Sequence, residues 1–197
     1  MRGDRSIAAS ALDLHGVEWS QVTLPSVCGG SRPIRLHRPS WAVRPAEGTA
    51  LVTPIPRRWS QADFYGRHSL EVDTGWNPVV YGHLGGNAGD VAGLEFDCNN
   101  GGGTADGVLL YGWVIFSGLD SKLSVVGVVT ARVRPGTATP VMITIAPGRI
   151  TSHEFFYGPS DPTCCASGRA TTVWTYAHGR LHPGVPVITK RPAAGPA

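Results

Sequence analysis

The sequence predicts a mainly β chain: a single antiparallel sandwich or barrel-like meander with long Pro/Gly-rich loops and little helix. Three observations lead there. Glycine (26) and proline (16) make up about a fifth of the 197 residues, which favours many short elements joined by turns. Runs rich in Val, Ile, Thr and aromatics recur at intervals of about 8–18 residues, each bounded by Gly, Pro, Asp or Asn. Six Trp, five Tyr and five Phe supply the apolar area that a core needs and that low-complexity chains lack. The length corresponds to about one domain.

Residues 1–11 read as a flexible leader, 12–183 as a single β-rich domain, and 184–197 as a flexible Pro/Ala-rich tail. The Arg2-Gly3-Asp4 tripeptide is short enough to arise by chance. Val17 to Leu24 alternates imperfectly with a period of two and ends at Pro25, which predicts a strand. From Arg32 to Arg58 prolines recur at 33, 39, 45, 54 and 56, and their fixed φ and missing N–H groups exclude a long helix. Short edge strands are expected over Ile34–His37 and Ala50–Thr53, one helical turn capped by Ser60, and another short strand over Ser69–Val72. The regular part begins with Pro78–Gly82. It continues through Val91–Phe96 paired with Val108–Phe116, then Leu123–Val133, Val141–Ile145, Arg149–Tyr157 and Thr171–Tyr176. Pro147-Gly148 is a strong hairpin turn and His178-Gly179 a weaker one. No internal repeat of propeller or solenoid length occurs.

The net charge is +3, and the arginines are scattered, with Arg57-Arg58 the one adjacent pair. A nucleic-acid binder carries a basic stripe and a larger excess, so no nucleic acid is expected as a partner. No run approaches the ~18 apolar residues of a membrane-spanning helix. The four cysteines, Cys28, Cys98, Cys164 and Cys165, form no C-x-x-C pair, which fits disulfides in an oxidising compartment. The opening MRGDRSIAASALDL is too polar and too short for a signal peptide. An extracytoplasmic location is therefore expected, with the export signal outside this sequence.

The first place for chemistry is the glycine-rich stretch Gly82 to Asp90, which offers His83, Asn87 and Asp90. One carboxylate leaves a hard cation under-ligated, so a turn held by glycines at positive φ is the simpler reading. It lacks the G-K-[ST] end of a phosphate loop, and a strand follows instead of a helix.

The run VVYGHLGGNAGDVAGLEFDCNNGGGTADGVLLYGWVIFS, followed by FFYGPSDPTCCASGRATTVWTY, resembles the exported actinobacterial domains related to the LppP/LprE-type lipoproteins. Those read V-Y-G-D-L-x-G-D-G-x-x-E-A, then a cysteine with N-x-G-G-T-A, then Y-x-x-x-D-x-x-C-C-P-S-G. The resemblance covers Val79 to Tyr176 and is most specific around the cysteines. His83 and Asn87 stand where the family has Asp, Ala88 replaces a Gly, Val91 an acid, and Ala166 the Pro after the cysteine pair. The resemblance implies a cell-envelope location and carries no established activity.

Asp161-Pro162-Thr163-Cys164-Cys165 is the second place. Adjacent cysteines can bridge each other or reach elsewhere, and four cysteines allow three connectivities. Two structural disulfides are expected, tying Cys28 and Cys98 to each other or to this loop. A redox role needs a low-pKa thiolate, and Arg169 is the one cation nearby in sequence. No Cys or His pair has zinc-ligand spacing.

Catalysis by scattered groups is the third. No G-x-S-x-G elbow or H-E-x-x-H occurs, and His153 and Glu154 on one strand point to opposite faces. Asp97 and Asp106 read as turn residues before they read as acids. Trp41, Trp59 and Trp76 could line a groove for a glycan or peptide. The combined expectation is a non-catalytic exported binding or scaffolding module, without cofactor or metal, for an envelope protein, peptide or glycan. Its ligand residues would be His83, Asn87, Asp90 and Trp76. The alternatives are an envelope hydrolase using His83 with Asp90 or Asp97, and partner binding through an exposed β edge.

Overall fold

The computed structural model describes residues 11–27, 33–35, 59–60, 69–71, 79–99, 108–133, 138–162 and 165–191, with the backbone alone for some strand residues. The fold is mainly β, built on two antiparallel sheets in a sandwich-like arrangement. The strands are β1 (Thr23–Leu24), β2 (Ile34–Arg35), β3 (Trp59–Ser60), β4 (Ser69–Glu71), β5 (Val79–Gly85), β6 (Gly89–Asn99) and β7 (Val108–Ser117). Then come β8 (Ser124–Thr130), β9 (Ala138–Ala146), β10 (Arg149–Phe156), β11 (Gly168–Ala177), β12 (Arg180–Pro183) and β13 (Val187–Lys190).

The first large sheet runs β3-β4-β6-β7-β8, with β5 beside β6. One edge of β6 pairs with β7; the other is shared by β5 over residues 89–94 and by β4 over 97–99. The second runs β12-β11-β10-β9, and β11 likewise shares one edge between β12 and β13. β1 and β2 form a separate two-stranded ladder.

The first sheet is buried on both faces, which explains its near-continuous apolar runs. On β6, residues 91–94 are all buried, and on β7 so are 112–117. Val91, Trp113, Ile115 and Val129 pack against Ile143, Ile150 and Trp174 of the second sheet. Leu94, Phe96, Val114 and Phe116 face the other way and are covered by Val22, Leu24 and Val27 of the N-terminal segment. The chain is thus layered as N-terminal segment, first sheet, second sheet.

That N-terminal layer differs from the strand expected over Val17–Leu24. Residues Trp19–Gln21 form a 3₁₀ turn, and only Thr23–Leu24 is extended. A continuous strand would turn Trp19 and Val22 to opposite faces; the turn lets both pack on the first sheet. Ser60 lies in β3 instead of capping a helical turn. The glycine-rich stretch from Gly82 is a hairpin, with its strands extending to Gly85 and from Gly89. Part of the expected tail is ordered, since β13 supplies partners to residues 169–171 of β11 beyond the reach of β12. His178 and Gly179 both take positive φ (51° and 77°), the requirement of a type I′ hairpin turn. The strand expected over Ala50–Thr53 and the second glycine-rich turn before Val108 lie outside the described residues.

Inside the second sheet, Glu154 is fully buried. Its Oε2 accepts the backbone N–H groups of Arg132 (2.8 Å) and Val133 (2.9 Å), just beyond the end of β8. Ser152 donates to its Oε1 at 3.2 Å and accepts from Trp174 Nε1 at 3.3 Å. The run Leu123–Val133 therefore stops being a strand at Thr130, because its next amides turn into a carboxylate.

Candidate functional site

The β5–β6 hairpin sets the site. Its turn is possible because Gly85, Gly86 and Gly89 all take positive φ (76°, 56° and 59°), a region that costs other residues energy. The register pairs His83 with Asp90 and Tyr81 with Ala92. Paired residues share a face, so Tyr81, His83 and Asp90 line the side of the first sheet that meets the N-terminal segment.

That segment is tied down from the sequence upward. Leu12 N–H donates to Gly118 O at 2.6 Å, fastening it to the end of β7. Asp13 caps the following 3₁₀ turn, its Oδ1 accepting His15 N–H at 3.0 Å. Leu14 is buried below, while His15 stacks on Tyr81 with ring centroids 3.9 Å apart and planes 26° from parallel. Trp19 Nε1 donates to the Tyr81 hydroxyl at 3.1 Å, and the Trp19 ring rests on buried Phe116 at 5.6 Å. Tyr81 is thereby fixed between two residues more than sixty positions away in sequence.

Between segment and hairpin lies an open cleft of about 360 Å³. Residues 12–15 form one wall, and Tyr81, Gly82, Asp90 and Val91 form the other. His83 Nδ1 stands 2.8 Å from Asp90 Oδ1, but the two side chains are 61% and 78% exposed. A pair so solvated contributes at most about 1 kcal/mol. It also lacks the enclosed setting that makes an acid–base pair effective in hydrolysis.

Of the expected ligand residues, the structure brings His83 and Asp90 together. Asn87 sits exposed in the hairpin turn, and Trp76 lies outside the described residues. Asp97 pairs in the ladder with Glu71 and Tyr111; Asp106, Trp41, Cys28 and Cys164 lie outside the described residues, and Trp59 and Cys98 are described by backbone only. Cys165 is disulfide-bonded. Among the described residues no group of three His, Cys, Asp or Glu could hold a metal ion.

The loop after β10 is organised by Asp161. Its Oδ2 accepts the N–H groups of Gly158 (2.7 Å) and Ser167 (2.8 Å), and its Oδ1 accepts the Ser167 hydroxyl at 2.7 Å. These three donors, the backbone ones foremost, hold its carboxyl below the ordinary aspartate range, with Arg169 adding a little against a small opposing effect of burial. Asp161 therefore shapes the loop that carries the cysteine pair.

Sequence reasoning missed Asp13, His15 and Tyr81, and assigned Trp19 to a strand. No local signal marks them, because the cleft exists only where residues 12–19 cross the hairpin. Comparison with protein-family models, curated proteins and solved structures found no match.

Proposed function

We propose that this chain is a non-catalytic binding module of the cell envelope, and that the cleft between residues 12–15 and the β5–β6 hairpin is its ligand site. The observation that carries the reading is Tyr81, held by His15 and Trp19 at the wall of a cleft that also presents Asp13 and Asp90. A cleft of this size with a buried apolar base and a few converging polar groups is the usual form of a small binding site. The exported location rests on the resemblance of Val79–Tyr176 to LppP/LprE-type domains and on the cysteine pattern. Two structural disulfides, linking Cys28 and Cys98 to each other or to the loop of Cys164 and Cys165, belong to the same reading.

The alternative of an envelope hydrolase draws on the His83–Asp90 contact, and the exposure of both side chains weighs against it. The test is fractionation of the natively expressed protein with thiol counting by mass spectrometry. Recovery from the envelope or medium with all four cysteines oxidised is expected. Recovery in the cytosol with four free thiols overturns the exported reading.

A further inference from the structure

We infer that the cleft is a subsite for a cationic amino-acid side chain, a lysine or arginine presented by a peptide. The inference rests on the reading of the cleft as the binding site and adds the chemistry of its ligand.

The lining is divided in the way such a side chain is. Buried Leu14 gives the cleft an apolar base, whereas Asp13 and Asp90 are exposed at the rim. An aliphatic stem matches the leucine and a charged end the two carboxylates. Among the described residues, each carboxylate is engaged through Oδ1, by His15 N–H and by His83, which leaves each Oδ2 to accept from a ligand. Among the described residues no lysine or arginine lines the cleft, although the whole chain carries a net charge of +3. The formal charge of the described lining, from Asp13 and Asp90, is thus opposite in sign to that of the molecule.

The aromatic wall points the same way. One face of Tyr81 is covered by His15, and its hydroxyl is engaged by Trp19. That leaves at most one face for a sugar ring to stack on, and the same exposed ring can meet a cation. At about 360 Å³ the cleft is near the lower end of ligand pockets and has room for a lysine or arginine side chain.

The test titrates the ¹⁵N-labelled full chain with Nα-acetyl-lysine amide and Nα-acetyl-arginine amide, read by amide chemical shifts. The neutral counterparts Nα-acetyl-norleucine amide and Nα-acetyl-citrulline amide, and chitotriose, are run beside them. The cationic probes are expected to shift the amides of Asp13, His15, Tyr81 and Asp90 and to bind about tenfold more tightly than the neutral ones. Asp90→Asn and Asp13→Asn, both at exposed positions, are each expected to weaken the cationic probes by about tenfold while keeping a dispersed spectrum. Equal binding of neutral and cationic probes, unchanged affinity in both variants, or shifts with chitotriose alone overturns the cation inference and leaves the cleft as the site. If no probe shifts these amides, the cleft reading falls with it.

Discussion

The carboxylate of Glu154 on β10 accepts the backbone N–H of Val133, just beyond β8, at 2.9 Å with the side chain fully buried. A charge-capable group in a sheet interior is tolerable only when its lone pairs are taken up. Here two backbone amides and the Ser152 hydroxyl do so. The contact joins the first sheet's last strand to the second sheet and fixes where the chain leaves β8.

Replacing Glu154 with alanine strips two amides of their acceptor and leaves a void in the sheet interior. A loss of about 2–4 kcal/mol is expected, with Glu154→Gln costing less because one amide oxygen remains to accept. Urea unfolding followed by far-ultraviolet circular dichroism measures both; equal stability of the alanine variant and the parent would count against the arrangement.

Asp161 predicts a pH dependence. Its folded pKa lies below the ordinary 3.8, so the ionised form favours the native state. That contribution is complete above the unfolded value and is lost as pH falls through the folded one. Asp161→Ala is therefore less stable at pH 7, and its deficit narrows as the pH drops below about 3.8. Denaturant midpoints from pH 7 down to 2.5 follow the difference.

Gly112 on β7 has no room for a side chain. A Cβ there would meet Val129 O at 2.7 Å and the Phe96 ring at 2.8 Å. Gly112→Ala is expected to cost about 1–3 kcal/mol. Adding Phe96→Leu relieves only the ring, so the carbonyl contact keeps the double variant from recovering. Thermal melts of these two variants and of Phe96→Leu alone decide it.

Trp19→Phe keeps the ring on Phe116 and removes the Nε1 donor to Tyr81. The exposed bond is worth up to about 1 kcal/mol in stability. The larger effect is expected at the cleft, as broadened amide signals for His15 and Tyr81 with the rest of the spectrum unchanged.

His83→Ala is expected to change stability by less than about 1 kcal/mol, since its partner Asp90 is as exposed as it is. A substantially larger loss in urea unfolding would mean that the pair matters more than its solvation allows.

The sequence alone determined the class of fold and most of its strands. Val, Ile, Thr and aromatic runs cut by Gly and Pro carry a local signal, because strand propensity and turn chemistry act between near neighbours. The runs at 91–96, 108–116, 141–145 and 149–157 fall on β6, β7, β9 and β10. His83 and Asp90 were legible as a pair of interest for the same reason, since seven residues around a glycine turn bring them opposite each other. The tertiary structure decided the rest. Val17–Leu24 has the pattern of a strand, yet burial against Leu94 and Phe116 made it a turn, because packing energy outweighs a weak alternation. Glu154 gave no sign of its burial, since the two backbone amides it accepts lie more than twenty residues away. The cleft was unreadable for the same reason: His15 and Tyr81 meet only after the N-terminal segment has covered the first sheet. Local chemistry wrote the strands, and long-range packing placed the site on them.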